Sequence, residues 1–232
     1  GISGSREFSF NGWISAWRLS DSALASTEFL CAGESGTVVP EPAPKHTDTT
    51  VAYWKLDRAA DGTIDGRDSV GNADLSQGRM LWDGVFADSV VKPSHDGNGS
   101  AKYDPQPYAM LRANGLAADH LRLSDAFTVE GWMYPQWRSA AVPDAQVLFT
   151  TLDTADADQR GWCVRLLREG ANYHLALTSQ DGIGTCLSGT ANARLSADHA
   201  ISDGTWHQVK VSYDPAGNGT WTCWFDGIQE GT

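Results

Sequence analysis

The sequence predicts an all-β fold, an antiparallel β-sandwich in which two sheets pack against each other. Short apolar runs rich in Trp, Val, Tyr and Phe recur from residue 127 onward, and clusters of Gly, Asn, Asp and Pro separate them. Helical periodicity is missing from these runs, and ten Trp with 24 Gly supply the flat side chains and turn residues that sheets use. A chain of 232 residues is long enough for one large sandwich.

Two hairpins are the clearest individual elements. In residues 206–214, "WHQVKVSYD", apolar and polar side chains alternate, which indicates a strand with one buried face. The loop "DPAGNG" then turns the chain back into residues 220–227, "TWTCWFDG", where the alternation continues. A second hairpin is predicted for residues 162–179, "WCVRLLREGANYHLALTS", with its turn at "EGAN".

The first 50 residues do not fit this succession of hairpins. Residues 10–30, "FNGWISAWRLSDSALASTEFL", read as a strand followed by a short helical turn with Ser20 or Asp21 as its cap. Residues 34–50 are rich in Pro and Thr and lack an apolar period, so they are predicted to form an extended linker. A segment of about 30 residues is too small to bury a core alone, hence the first strand needs a partner surface.

The acidic charge limits the classes of partner. The chain carries 29 acidic and 17 basic side chains, a formal net charge of -12, which repels nucleic acid and anionic membrane surfaces. No apolar stretch approaches the roughly 18 residues that a membrane-spanning helix needs. We therefore expect neutral sugars, proteins or cations as partners, without nucleic acid and without membrane insertion.

The cysteines do not indicate a zinc site, because no C-x-x-C pair or clustered His accompanies them. Disulfides in an exported protein and plain buried thiols both remain open. Spacing does not choose among the three ways of pairing Cys31, Cys163, Cys186 and Cys223.

Three segments resemble the laminin-G-like, concanavalin A-like jelly-roll family, especially the bacterial exported modules that occur in tandem. Residues 51–75 are similar to the family's opening strand and its following loop, here "DSVGN". Residues 123–135, "LSDAFTVEGWMYP", are similar to its "F-T-[VI]-E-x-W" strand, and residues 201–227 are similar to its long "DGxWHHVAVTYD…LYVDG" hairpin. The resemblance implies a jelly roll, an antiparallel sandwich of the kind that the strand spacing indicates.

Residues 10–30 are similar to the last strand of that family. Arg18 and Leu24 match its pattern, whereas Ser15 and Ala16 stand where the family has an acidic pair. The resemblance therefore implies three parts, which are residues 1–33 as the C-terminal strand and short helical turn of a preceding module, 34–50 as the linker, and 51–232 as a jelly-roll domain that lacks its own last strand.

This order of parts suggests that the chain completes its own sandwich. A jelly roll without its last strand leaves a row of unpaired backbone groups, and residues 8–19 are a strand of the missing type. The 17 residues from 34 to 50 can extend roughly 55 Å at about 3.3 Å each, whereas the radius of gyration of such a domain is about 16 Å. We therefore hypothesise that residues 8–19 occupy the missing position; the alternative is a surface segment that belongs to another module.

The sequence favours binding over catalysis. Glycosidases of this architecture place paired carboxylates about 5 Å apart along one strand, and no such spacing occurs here. Glu130 is a lone acid on its strand and is expected to be satisfied by a hydrogen bond. We expect a non-catalytic binding or adhesion module of a secreted or cell-surface protein, which acts beside neighbouring modules and binds a glycan or an extracellular protein. A glycosidase or polysaccharide lyase and a structural spacer are the alternatives.

Two pairs of residues are the candidate sites. Asp68 and Asn72 are predicted to bind a calcium ion because "DSVGN" matches the loop of the family, and the alternative is a turn in which these side chains bond their own backbone. Trp82 and Trp137, in loop-like contexts, are predicted to form an exposed platform for a carbohydrate. The Trp residues on or beside predicted strands are expected in the core, namely Trp54, Trp132, Trp206 and Trp224.

Overall fold

Strands make up almost all of the structure, which is a computed structural model. It describes residues 8–9, 12–25, 28, 49–77, 85–88, 100–103, 111–113, 121, 123, 125–136, 145–151, 161–169, 172–180, 192–194, 201, 204–216 and 219–231. In these ranges the strands are β1 (Phe8–Ser9), β2 (Gly12–Ser20), β3 (Thr50–Trp54), β4 (Asp57–Arg58), β5 (Ile64–Asp65), β6 (Leu75–Gln77), β7 (Val85–Asp88), β8 (Ser100–Tyr103), β9 (Leu111–Ala113), β10 (Phe127–Pro135), β11 (Ala145–Thr150), β12 (Gly161–Glu169), β13 (Asn172–Gln180), β14 (Asn192–Arg194), β15 (His207–Asp214), β16 (Thr220–Phe225) and β17 (Ile228–Gly231).

Two large sheets form a sandwich, so the predicted all-β class is confirmed. One sheet has eight strands, with seven in the order β17-β16-β15-β10-β2-β8-β7 and with β3 paired to β2 as the eighth. The other sheet has five strands in the order β1-β11-β12-β13-β14, and its β1–β11 pair is parallel. Two small antiparallel sheets join β4 to β5 and β6 to β9. The described ranges contain no helix long and apolar enough to cross a membrane, and the finer jelly-roll topology stays a prediction.

The core lies between the two large sheets and is rich in aromatic side chains. Trp17 of β2 stacks on Phe149 of β11 with ring centroids 5.8 Å apart, and Phe127 of β10 stacks on Trp162 of β12 at 4.7 Å. Large rings bury more apolar surface than other side chains, so these contacts contribute strongly to holding the sheets face to face.

β2 lies in the interior of the eight-stranded sheet, so the N-terminal strand does complete the sandwich. One of its edges pairs with β10, and its other edge pairs first with β8 and then with β3. A single strand over residues 8–19 is nevertheless wrong, because Phe8 and Ser9 pair with β11 in the five-stranded sheet. The predicted linker falls on residues of which only Thr49 and Thr50 are described, and β3 begins at Thr50. The assignment of the first segment to a preceding module stays a prediction.

A bulge at Ala16 lets β2 pair with three neighbours. Ala16 and Trp17 both lie opposite the single Gly131 of β10. Ala16 is the extra residue, with a left-handed φ of 50°, and its N–H donates to the carbonyl of Lys55 (3.2 Å). Because the bulge absorbs one residue, Ile14 and Trp17 both enter the core. Gly131 is needed here, since a Cβ at this position would lie 2.5 Å from the Trp17 ring.

Both predicted hairpins are present, because β15 pairs with β16 and β12 pairs with β13. The prediction that β15 has only one buried face is wrong. Gln208, Lys210 and Ser212, on its polar face, are 4%, 1% and 4% exposed. The polar side of this sheet is therefore covered by other parts of the chain.

The segment after β2 differs from the predicted helical turn. Ser20 is the last residue of β2 and does not cap a helix. The N–H of Ala25 donates to the carboxylate of Glu28 (2.8 Å), and the N–H of Glu28 donates to the carbonyl of Ala25 (3.0 Å). The first of these contacts is half of a capping box, so the turn starts at Ala25 rather than at Ser20 or Asp21.

Two of the four cysteines are described, and both are buried free thiols. Cys163 lies in β12 and Cys223 in β16. Burial raises the pKa of Cys223 to about 12. Cys31 and Cys186 lie outside the described residues, so their state stays open.

Candidate functional site

The face of the eight-stranded sheet that points away from the core, here called the outer face, carries its polar side chains. Along β10, Phe127, Val129 and Met133 enter the core, so the alternating residues point outward. Cross-strand register then arranges the outward residues in rows. These are an aromatic row of Trp13 and Tyr134, a mixed row of Ser15, Trp132 and Gln208, a charged row of Arg18, Glu130 and Lys210, and a hydroxyl row of Ser20, Thr128 and Ser212.

Arg18 and Glu130 form a buried ion pair in the charged row. Neither side chain has exposed surface, and Glu130 Oε1 accepts hydrogen bonds from both Nε (2.8 Å) and Nη2 of Arg18. Two charge-assisted bonds onto one oxygen fix the guanidinium against the sheet. The expectation that a hydrogen bond satisfies Glu130 is confirmed, and the carboxylate is closed to a substrate in this conformation.

Lys210 is the second buried cation of the charged row. Its Nζ donates to the carbonyl of Leu24 (2.9 Å) and lies 4.0 Å from the centroid of the Trp224 ring. Burial is the main cause that lowers the pKa of Lys210 to about 7; the charge of Glu130 opposes this shift, and the charge of Arg18 adds to it. The row therefore holds two cations and one carboxylate when Lys210 is protonated.

Residues 21–25 together with Glu28, here called the strap, lie over the charged and hydroxyl rows. Besides the Lys210 bond, Arg18 Nη2 donates to the carbonyl of Glu28 (2.6 Å). Thr128 Oγ1 accepts from the N–H of Leu24 (3.0 Å) and donates to a further strap carbonyl (2.7 Å). These bonds satisfy strap backbone groups that the burial would otherwise leave unpaired.

The charged row was not foreseen from the sequence, although two signals point to it. Alternation in residues 206–214 places Lys210 on the polar side of its strand, and Arg18 matches the closing strand of the resembled family. Only the register between β2 and β10 brings Arg18 beside Glu130. That register is set by the pairing of two segments that lie far apart in the sequence. The alternation of side chains within either strand does not show which strand it will pair with.

The aromatic row lies at the opposite end of the outer face from the hydroxyl row. Trp13 and Tyr134 meet edge to face with centroids 5.1 Å apart, and Tyr134 makes a second such contact with Trp206 (5.5 Å). Trp13 is 7% exposed, whereas Tyr134 and Trp206 are half-buried. In the adjacent mixed row, Ser15 Oγ and Trp132 Nε1 are buried and have no hydrogen-bond partner in the described part of the chain. Tyr134 and Trp206 thus keep part of their surface exposed, whereas Trp13 is buried.

A hydrogen-bonded chain of Thr205, His207 and Asp226 lies where β15 begins. His207 Nδ1 is 2.8 Å from Asp226 Oδ2, and Nε2 is 2.9 Å from Thr205 Oγ1. A hydroxyl, an imidazole and a carboxylate in this order also occur in hydrolases. Here Asp226 additionally accepts the N–H of Gln208 through Oδ1 (2.8 Å) and donates its own N–H to the Gln208 carbonyl (3.0 Å). These bonds fasten the turn between β16 and β17 to β15.

Asp68 organises the loop that was predicted to bind calcium. Its Oδ1 accepts the N–H groups of Tyr53 (2.9 Å) and Val70 (3.1 Å), and its Oδ2 accepts the N–H of Ala73 (3.2 Å). Asp68 is 8% exposed, whereas Asn72 is exposed. The bonds to Val70 and Ala73 form the turn that the sequence left as the alternative.

The residues around Asp68 fit a structural turn better than a calcium ion. Calcium takes about six to eight oxygen ligands, but three hydrogen bonds already use lone pairs on both Asp68 oxygens. Within the described ranges, no group of three or more His, Cys, Asp and Glu side chains is placed to hold a metal ion. The assignment of Asp68 and Asn72 to a metal stays a prediction.

The predicted carbohydrate platform, Trp82 and Trp137, lies outside the described residues. Trp54 is in the core as expected and is 1% exposed. Trp132 is buried too, but it packs on the outer face with Tyr53. The core assignment is wrong for two half-buried residues of the outer face, Trp206 and Trp224.

Comparison with known proteins gives no family for this chain: no protein-family model, no curated protein and no solved structure matches it. The resemblance to laminin-G-like modules therefore rests on the motifs in the sequence and stays a prediction.

Proposed function

We propose that this chain is a non-catalytic binding or adhesion module of an exported multidomain protein and that its ligand is a glycan or a protein. The observation that carries the proposal is the enclosure of Glu130, the lone acid of β10. Its carboxylate is paired with Arg18 on the outer face, and Arg18 in turn holds the strap. Cleavage of a glycosidic bond needs an accessible acid, whereas a binding module needs a rigid scaffold that presents loops and rings.

A fixed and exposed loop supports recognition. Ser69, Val70 and Asn72 are exposed, and Val70 has 43% of its surface exposed. The hydrogen bonds of Asp68 hold the backbone beneath these side chains. A loop that is ordered before binding loses little conformational entropy when it meets a ligand. The loop therefore suits a role in recognition, with or without a cation.

The net charge and the sequence motifs support the class of partner and the location that the proposal gives to this chain. A formal net charge of -12 favours neutral or cationic partners over nucleic acid and anionic surfaces. The resemblance to laminin-G-like modules supports a secreted or cell-surface location beside neighbouring modules. Passing from such a fold to a function is an analogy, so the ligand has to be found by measurement.

The test measures binding and turnover on the same chain. The immobilised protein is probed with a glycan array and with a panel of extracellular matrix proteins. In parallel, polysaccharides incubated with the protein are assayed for new reducing ends and for the absorbance of unsaturated lyase products. We expect saturable binding to a glycan or a protein without product. Product formation would establish the enzyme alternative. No binding to any glycan or protein of the panel, together with no effect of calcium on stability, would favour the spacer alternative.

A further inference from the structure

We propose that the strap is a pH-sensitive cover of the outer face, which opens more readily when the amine of Lys210 is protonated. Such a cover goes beyond the proposed function, because it controls access to this face whatever ligand the chain binds. The way in which the strap is fastened and the charges that lie beneath it both point to this role.

The strap can leave the outer face while β2 stays in its sheet. The pairing of β2 with β3 ends at Ser20, and the N–H of Asp21 donates to the carbonyl of Thr49 (2.9 Å). Beyond Asp21, the described bonds between the strap and the sheet run through side chains, namely those of Arg18, Thr128 and Lys210. No described strand pairing has to break when these bonds open.

Opening changes what the outer face presents. In the closed form Leu24 is 5% exposed, and its backbone is held by Thr128 and Lys210. In the open form Leu24 leaves the sheet, and the donors of Arg18 and Lys210 lose the strap carbonyls. Oxygen atoms of a ligand can then take the place of these carbonyls.

The charges beneath the strap are unequal when Lys210 is protonated. The carboxylate of Glu130 is already engaged by Arg18 in the buried ion pair, so one carboxylate faces two cations. The strap brings a second carboxylate, that of Glu28, which is half-buried. Trp224, the neighbour of Lys210 on β16, contributes a ring and no charge. A charged amine at this place is therefore only partly compensated.

Water favours the charged amine more than this site does. Burial lowers the pKa of Lys210 to about 7; the charge of Arg18 adds to this shift, whereas the charges of Glu130 and Glu28 oppose it. An open strap returns the amine to water, where its ordinary pKa is 10.5. The open form therefore binds the proton more tightly than the closed form, so protonation favours opening and deprotonation favours closure.

The two pKa values set the size and the range of the effect. The opening constant, which is the ratio of open to closed strap, rises about 25-fold as the pH falls from 8.5 to 6.5, because mainly the open form carries the proton over most of this interval. Below about pH 6.5 both forms carry it, so a further fall to pH 5.5 raises the opening constant by less than about 1.5-fold. Opening is thus graded across neutral pH and levels off in mild acid.

Hydrogen exchange of the full chain, followed by NMR, measures this opening. The reporter is the amide of Leu24, whose N–H donates to Thr128 Oγ1, and the reference is the amide of Val211, which lies in β15 between β10 and β16. Dividing each rate by the intrinsic exchange rate at the same pH gives the opening constant. We expect that of Leu24 to exceed that of Val211 by at least about tenfold, and to rise about 25-fold from pH 8.5 to 6.5.

Two variants separate the amine from the other fastenings of the strap. Lys210→Met removes the titrating group, so the opening constant of Leu24 should stay within about twofold from pH 8.5 to 6.5. Thr128→Val is the matched control, because it removes two strap bonds that involve no charge. In this variant opening should increase at every pH, and the 25-fold dependence on pH should persist.

Three results overturn the pH-sensitive cover and leave the proposed function standing. They are an opening constant of Leu24 that does not change with pH, an equal pH dependence in Lys210→Met, and equal opening constants for Leu24 and Val211, which would mean that the strap leaves only when the whole fold unfolds. Thermal unfolding first checks that each variant folds. If Lys210→Met does not fold, the wild-type amine is titrated through the NMR signal of its Cε, assigned from the backbone. A midpoint near pH 7 beside the expected exchange profile supports the cover, and a midpoint above pH 9 overturns it.

Discussion

Arg18 and Glu130 are 112 residues apart in the sequence and form an ion pair without exposed surface. They are cross-strand partners, so the pair forms only when β2 is inserted beside β10 in this register. Removing two charges from water is costly, and only close pairing with further hydrogen bonds repays that cost. A strand inserted one residue out of register would bury both charges without partners. The ion pair therefore penalises wrong insertion of β2.

Breaking the pair on one side should destabilise the fold more than removing both charges. Arg18→Met leaves a buried carboxylate and should lower the free energy of unfolding by about 3–5 kcal/mol. Glu130→Leu should cost at least as much, because it leaves both Arg18 and Lys210 uncompensated. The double variant should recover part of the loss, since neither charge of the pair remains. Urea unfolding of all four proteins measures this coupling, and additive losses would contradict it.

Removing residues 1–33 should abolish cooperative folding. β2 contributes pairing to β10, β3 and β8, and its Trp17 and Leu19 are buried in the core. Scanning calorimetry of residues 34–232 should show no cooperative transition. Adding a synthetic peptide of residues 8–28 should restore one, whereas a peptide of the same composition in scrambled order should not. An unchanged melt after the deletion would refute the central position of β2.

The strands of this fold can be predicted from sequence because their signals are local. Two-residue alternation and turn residues identified the β12–β13 and β15–β16 hairpins without any knowledge of their partners. The place of β2 followed from a resemblance and from the reach of the linker, not from a pattern in the strand itself. Its division from β1 was missed, because no local pattern reports which sheet a short strand will join.

Burial of the outer face was not predictable for a different physical reason. Alternation shows that the two faces of β15 differ in polarity, but it does not show whether the polar face meets water. Here Lys210 donates to the carbonyl of Leu24, and Thr128 contacts the N–H of the same residue. Every residue type carries these backbone groups, so the sequence of the strap contains no sign of the contact.

Gly131 should not tolerate a side chain while Trp17 lies across it. A Cβ at this position would come within 2.5 Å of the indole ring, so Gly131→Ala should destabilise the fold by about 1–3 kcal/mol. In a Trp17→Leu background the same change should cost less than about 0.5 kcal/mol, because the ring is gone. Urea unfolding of Gly131→Ala against the wild type, and of the double variant against Trp17→Leu, measures this difference. Equal costs in the two backgrounds would show that backbone conformation rather than the ring excludes a side chain.

The Asp68 loop should depend on its hydrogen bonds and not on calcium. Asp68→Asn replaces one accepting oxygen with an N–H donor, so at least one buried N–H loses its acceptor at a cost of about 1–3 kcal/mol. Asn72→Ala, at an exposed position, should change stability by less than about 0.5 kcal/mol. Both effects should be the same in calcium and in chelator.

Thermal unfolding of the wild type decides the question of calcium. A cation bound only by the folded state at 100 times its dissociation constant adds about 2.7 kcal/mol, which raises the midpoint by several degrees. Such a rise in the wild type, lost in Asp68→Asn, would confirm the predicted calcium site. Equal midpoints in calcium and chelator would leave Asp68 as a turn former.

Lys210 should make the fold more stable as the pH rises above neutrality. Its pKa is about 7 in the folded chain, because burial disfavours the charged amine, against an ordinary value of 10.5. Between these values the unfolded chain binds more protons than the folded chain, so the free energy of unfolding rises by about 1.4 kcal/mol per pH unit. Below pH 7 both states carry the proton, and the cost of burying the charge is present in full.

The interval from pH 7 to 9 isolates this effect. Above pH 9 the Cys223 thiol acts in the opposite sense, because its folded pKa of about 12 lies above the ordinary 9.0 and the unfolded chain loses that proton first. Urea unfolding should therefore show a rise of about 2 kcal/mol between pH 7 and 9 in the wild type, because the folded amine is still half protonated at pH 7, and a much flatter profile in Lys210→Met. Cys223→Ala should keep the rise and remove the opposing trend above pH 9. A wild-type profile that is flat from pH 7 to 9, or an equal rise in Lys210→Met, would mean that the amine under the strap does not titrate near neutrality.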